Sequence, residues 1–178
     1  MKVIAIPGNS KKSNEEWVVD LREGLVSCFE NVEAIHYDHW KSNGEMDFED
    51  EKEKVRRILE NFGGDYVVIA KSIGIVVAMK LIKERKATPK YCIFAGCPID
   101  EEGDVTELER NLEGYSIPTS FIQNSDERFI KPEQLEKKLE ELGVKNFRVI
   151  SGKGEEHAYT VQEIVEASQR MNQKYAIS

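Results

Sequence analysis

Short apolar runs alternate along this chain with longer segments whose apolar residues recur every three to four positions. A short continuous run bounded by turn residues predicts a buried strand, and the wider spacing predicts a helix with one face turned inward. Strands are expected at 2–6, 32–37, 66–70, 90–95, 118–123 and 146–150. Helices are expected at 14–29, 48–61, 73–85, 132–142 and 158–173. Ser13 and Glu16 have capping-box spacing for the first helix. Pro132 suits the opening of the fourth, and Gly143 its end. The run Tyr66-Val67-Val68-Ile69-Ala70 has no polar position apart from the tyrosine hydroxyl, as expected of a strand covered on both faces.

Repeated strand–helix units predict an α/β domain, with a parallel sheet between two helical layers and right-handed crossovers. The chain reads as one domain over residues 1–178, with no internal repeat or linker. One segment breaks the rhythm. Residues 98–117 are acidic, hold one short predicted helix near 104–113, and fall where a lid over the sheet edge would sit.

Composition narrows the partners. A net charge of −8 and a pI near 5.1 disfavour nucleic acid or an anionic membrane surface. The charges alternate in sign along predicted helices, as in Glu136-Lys137-Lys138-Leu139-Glu140-Glu141, which reads as solvated helix surface. No apolar run approaches the roughly 20 residues of a membrane span, and the first residues read as a strand rather than a signal peptide. Cys28, Cys92 and Cys97 suit neither a disulfide framework nor zinc; Cys28 and Cys92 are expected to be buried. A cytoplasmic location follows as the expectation.

The chemistry centres on Ala70-Lys71-Ser72-Ile73-Gly74, a serine between small residues at minus two and plus two, joining an apolar strand to an apolar helix. This is the nucleophile-elbow pattern, in which a sharp turn lifts the serine Oγ off the sheet edge and leaves room only for small neighbours. Read alone, the same five residues fit a tight turn whose serine caps the next helix. The rest of the chain favours the elbow. In a parallel sheet all strands end at one edge, where ligands bind. Ser72 follows the third strand, Asp126 the fifth and His157 the sixth, giving the chain order serine, acid, histidine. A serine hydroxyl needs an imidazole to take its proton, and the imidazole needs a carboxylate to fix its tautomer. Asp100, after the fourth strand, is the reserve acid. The glycine-rich stretch Gly152–Gly154 is expected to let His157 swing over the serine. Two backbone N–H groups must hold the oxyanion; Ile73 offers one, and Asn9 in the loop after the first strand offers the other. His36 and His39 precede the serine and are expected to be structural, or at most to line the cleft. Nothing matches a phosphate loop, a dinucleotide fingerprint or a metal-ligand cluster, so neither cofactor nor metal is expected.

These pieces resemble the α/β-hydrolase superfamily, and within it the small single-domain serine hydrolases of the retinoblastoma-binding serine hydrolase group. The resemblance rests on Val3-Ile4-Ala5-Ile6-Pro7-Gly8-Asn9, on Val68 to Gly74 with Ala78-Met79, on the Asp126 loop, and on Gly154-Glu155-Glu156-His157. It implies a reduced, three-layer fold without the first antiparallel strands, with six parallel strands in the order 2-1-3-4-5-6. It also implies hydrolysis of esters or related acyl compounds by a triad of Ser72, Asp126 and His157. Two positions depart from the group: Ala70 stands for a glycine, and Lys71 for the histidine often found before the nucleophile.

The expected activity is cleavage of a small carboxylic ester or thioester through an acyl-enzyme on Ser72. Ser10, Tyr37, Trp40, Lys71 and Phe129 are the candidates for the pocket walls. Lys71 is expected chiefly as a surface lysine, although a cation beside the serine would also attract an acidic substrate. Two alternatives remain open at this level: a binding module with an unused triad, and an acyltransferase with an acceptor other than water.

Overall fold

The computed structural model describes residues 1–42, 44–100 and 105–175. Six strands form one parallel sheet: β1 (Lys2–Ile6), β2 (Asn31–Ala34), β3 (Tyr66–Lys71), β4 (Cys92–Ala95), β5 (Thr119–Asn124) and β6 (Phe147–Gly152). Their order across the sheet is β2-β1-β3-β4-β5-β6, and each neighbouring pair is parallel. The helices are α1 (Lys11–Leu25), α2 (His39–Ser42), α3 (Phe48–Phe62), α4 (Ile73–Lys83), α5 (Glu107–Leu112), α6 (Pro132–Glu141) and α7 (Val161–Tyr175).

Strand alternation divides the core. On one face Ile4, Ile6, Tyr66, Val68 and Ala70 pack against α3 and α4, and Phe94 and Phe121 continue that layer. On the other face Val3, Ala5, Val67, Ile69 and Ile93 pack against α1 and α7. Period two therefore carries Lys71, two residues beyond Ile69, onto the α1/α7 face.

The element boundaries differ from expectation where local chemistry decides them. Helix α1 starts at Lys11, and Ser13 lies inside it. The last helix starts three residues late because Thr160 and Glu163 exchange capping bonds, the Glu163 N–H to Thr160 Oγ1 and the Thr160 N–H to Glu163 Oε2. That delay lengthens the non-helical loop that carries His157. The short α2 was not expected.

The described part of 98–117 is no cover for the sheet edge. Helix α5, capped by Thr106, buries Leu108 and Leu112 against the α4/α6 side of the core. Glu107 bridges to Lys80 of α4 at 2.9 Å and Glu109 to Lys138 of α6 at 2.7 Å. Residues 101–104 lie outside the described residues. Cys92 and Cys97 are buried, while Cys28 is only half-buried, contrary to expectation.

Candidate active site

At the strand-to-helix turn Ser72 adopts φ 54° and ψ −122°, a conformation that costs a non-glycine residue about 1–3 kcal/mol. Its N–H is anchored to the Ala95 carbonyl at 3.0 Å, and its own carbonyl accepts from the Ile75 N–H at 2.9 Å. The small flanking residues have separate causes. A Cβ on Gly74 would lie 2.4 Å from the Ile6 carbonyl oxygen and 2.7 Å from that of Pro7, so only glycine fits where α4 meets the end of β1. Ala70 needs no such exemption: its methyl packs in the core on the α3/α4 face, between the paired positions Ile6 and Phe94.

Ser72 lines an open cleft of about 1340 Å³, together with the loop after β1, Trp40, Lys71 and the segment 155–159. His157 enters from the loop after β6. Its Nδ1 lies 2.8 Å from Glu127 Oε2, while its Nε2 is buried with no hydrogen-bond partner among the described residues. Glu127 is itself buried. The Tyr159 hydroxyl donates to the same Oε2 at 2.6 Å, and the Arg128 N–H donates to Oε1 at 2.9 Å. Burial would push the Glu127 carboxyl up, but the hydrogen bonds from His157 and Tyr159 outweigh it and hold the carboxyl below its ordinary value.

The carboxylate facing His157 is thus Glu127, where the sequence pointed to Asp126. The chain leaves β5 in a turn closed by the Glu127 N–H to Asn124 carbonyl bond at 3.2 Å. That turn brings residue 127 back over the sheet edge and leaves residue 126 exposed. Asp126 instead accepts from the Glu156 N–H at 2.8 Å, bracing the histidine loop from outside. Asp100 is exposed and not among the cleft's lining residues. Both acid types occur at this place in elbow enzymes, so the adjacent glutamate was the available signal.

The glycines of the histidine loop serve close packing rather than swing. A Cβ on Gly152 would lie 2.0 Å from Asn124 Oδ1, and one on Gly154 would lie 2.0 Å from the Ala158 carbonyl oxygen. Asn124 Nδ2 donates to the carbonyls of Glu156 and Ala158, at 3.0 and 2.8 Å, pinning the turn that carries His157. Gly96, after β4 with φ +67°, admits the imidazole: a Cβ there would lie 2.8 Å from His157 Cε1.

The loop after β1 is held as firmly. Tyr37 is fully buried and not among the cleft's lining residues; its hydroxyl donates to the Pro7 carbonyl at 2.9 Å. Trp40 lines the cleft and donates from Nε1 to the Asn9 carbonyl at 2.7 Å. His39 Nε2 donates to the same carbonyl at 3.1 Å, and its Nδ1 faces Glu51 Oε1 at 3.0 Å. Asn14 accepts from the Gly8 N–H at 3.2 Å and donates to the Ser10 carbonyl at 2.7 Å. The Asn9 N–H has no hydrogen-bond partner among the described residues, and Ile73 stands at the N-terminus of α4. Ser10 lines the cleft; Phe129 does not, and packs edge-on against the His157 ring at 5.3 Å. Lys71 is 4 % exposed, not the surface residue expected, and burial lowers its ammonium to about 8.

No family model matches this sequence, and no curated protein matches it. Solved structures do. Est1E from Butyrivibrio proteoclasticus, solved with ferulic acid, is similar over 99 % of this chain and 90 % of its own, with a TM-score of 0.73 at 15 % identity. A putative hydrolase of the α/β superfamily from Xanthomonas campestris pv. campestris matches over 97 % and 98 % of the two chains, with a TM-score of 0.69 at 14 % identity. Mouse alpha/beta hydrolase domain-containing protein 10 matches over 97 % and 90 %, with a TM-score of 0.68 at 14 % identity. At such identities the likeness speaks for architecture, and with the six-stranded order β2-β1-β3-β4-β5-β6 it establishes that this chain has the α/β-hydrolase fold in a reduced form.

Proposed function

We propose that the protein is a serine hydrolase that cleaves a small carboxylic ester or thioester through an acyl-enzyme on Ser72. The observation that carries this reading is the His157–Glu127 pair. The carboxylate occupies Nδ1 and leaves Nε2 unpaired in the cleft that Ser72 lines. Ser72 Oγ attacks the carbonyl carbon as its proton passes to His157 Nε2. The tetrahedral oxyanion takes hydrogen bonds from the N–H groups of Ile73 and Asn9. As the carbonyl re-forms, the bond to the alcohol or thiol breaks, and that group leaves with the proton from His157. Water then attacks the acyl-enzyme with His157 again as base, freeing the acid and Ser72. Glu127 stabilises the imidazolium in both halves and fixes the tautomer. The esterase and hydrolase neighbours of the same fold support the general class.

Labelling with a fluorophosphonate probe, read by peptide mass spectrometry, tests the reading. The native protein is expected to be labelled at Ser72, and Ser72→Ala and His157→Ala to lose the label. A folded native protein that takes no label would leave the cleft as a binding site rather than a catalytic one.

A further inference from the structure

A cation without a hydrogen-bond partner stands in the cleft wall next to the nucleophile, its side chain almost wholly covered. Lys71 is 4 % exposed, yet it has no ion pair or hydrogen bond among the described residues. Its Nζ lies 5.0 Å from the centroid of the Trp17 ring, a contact that compensates only part of the lost hydration. Of the other titratable side chains in the cleft wall, His157 faces Glu127 and His39 faces Glu51, both carboxylates behind the wall. At the rim the carboxylates of Glu45, Glu155 and Glu156 are exposed, as are the cations of Lys11, Lys12 and Arg128. Lys71 is therefore the inner-wall cation that faces no carboxylate among the described residues.

A second feature points the same way. The 15-residue α1 begins in this cleft, since Ser10, Lys11, Lys12 and Ser13 all line it. Its N-cap Ser10 makes no side-chain capping bond, and its first turn contains no acidic residue. The free N–H groups of a helix start favour an anion, and here they border the cleft that Lys71 lines.

We propose that Lys71 and the first turn of α1 form an anion subsite beside Ser72, and that the substrates are esters or thioesters bearing a free carboxylate a few atoms from the scissile carbonyl. The spacing follows from the chain. Residues 71 and 72 are adjacent, with Cα atoms about 3.8 Å apart, and Lys71 turns to the α1 side of the sheet while Ser72 sits in the elbow. Both side chains line one cleft, so a carboxylate on an arm of a few atoms suits the pair, whereas a long neutral acyl chain leaves the ammonium unmatched. The substrate class rests on the serine-hydrolase reading, whereas the anion subsite does not.

The test compares kcat/KM for 4-nitrophenyl hydrogen glutarate with that for 4-nitrophenyl pentanoate, and for the butanoyl ester of glycolic acid with that for ethyl butanoate. The first pair places the carboxylate on the acyl side and the second on the alcohol side. A preference of about tenfold or more for the charged member of either pair is expected, the size of one charge-assisted hydrogen bond. Lys71→Met should bring the ratio close to one, mainly through KM, and Lys71→Arg should restore part of it. No preference in the native protein, or an equal loss on both members of each pair in Lys71→Met, overturns the proposal. Monomethyl glutarate titrated calorimetrically into Ser72→Ala supplies a readout without turnover. Binding that weakens tenfold or more in Ser72→Ala with Lys71→Met supports the subsite even if fluorophosphonate labelling fails. Labelling at Ser72 with no Lys71-dependent binding or preference removes the subsite and leaves the hydrolase reading standing.

Discussion

Two histidines line the same cleft, each backed by a buried glutamate, and differ at one nitrogen. His157 and His39 each present Nδ1 to a buried carboxylate, at 2.8 Å to Glu127 and 3.0 Å to Glu51. His39 commits its Nε2 to the Asn9 carbonyl, which can only accept, so that nitrogen must hold its proton. His157 leaves Nε2 without a partner among the described residues. The first arrangement makes a strut that fixes the loop carrying Asn9; the second leaves a ring nitrogen free for the role of base proposed above. Proximity to the serine and a carboxylate partner do not separate the two roles. The occupancy of the second ring nitrogen does.

The sharpest way to break that contrast is to replace each imidazole. His157→Gln is expected to lower kcat/KM on an activated ester by about 10³-fold or more, within the range for loss of a triad member. His39→Gln, which can still hydrogen-bond the loop, is expected to lower kcat by about tenfold or less with KM little changed, because it displaces an oxyanion donor rather than removing one. Steady-state kinetics of both variants decide it, and equal losses would end the distinction.

The next largest effect separates neighbouring carboxylates. Glu127→Gln is expected to cost about 10²–10⁴-fold in kcat, since it removes the charge that stabilises the imidazolium. Asp126→Asn, which still accepts from the Glu156 N–H, is expected to stay within about threefold of native. The reverse order would return the acid role to Asp126.

The smallest effect concerns Lys71, which faces no carboxylate among the described residues. Burial depresses the Lys71 ammonium to about 8, against about 10.4 in an unfolded chain. Between those values the unfolded chain binds more protons at this group, so its contribution to stability rises with pH; below about 8 the full penalty applies. Lys71→Met is expected to raise Tm at pH 7 by about 5 °C and to flatten the rise between pH 8 and 10. Thermal unfolding of both proteins across that range measures it. An unchanged slope would mean that Nζ is hydrated in the fold.

Much of this architecture is written in the local pattern. Apolar runs at strand length and helical periodicity between them are one-dimensional signals, and they mark all six strands and the parallel α/β class. The elbow is equally local, because Ser72 and Gly74 are constrained by the backbone turn they make. The placing of His157 after β6, at the same sheet edge as Ser72, follows from the shared strand edge. The choice of Glu127 over Asp126 is different in kind: one residue of phase in a turn decides which carboxylate returns to the sheet, and the Asn124–Glu127 bond that sets it appears only on folding. The capping pair Thr160 and Glu163, which starts α7 at Val161, was present in the sequence but competed with the apolar periodicity beside it. The docking of α5 onto α4 and α6, the clamp on Asn9, and the burial of Lys71 are tertiary throughout. Each depends on residues distant in the chain, and the burial of a charged group is set by what packs over it, here Trp17 from α1, rather than by its own neighbours in sequence.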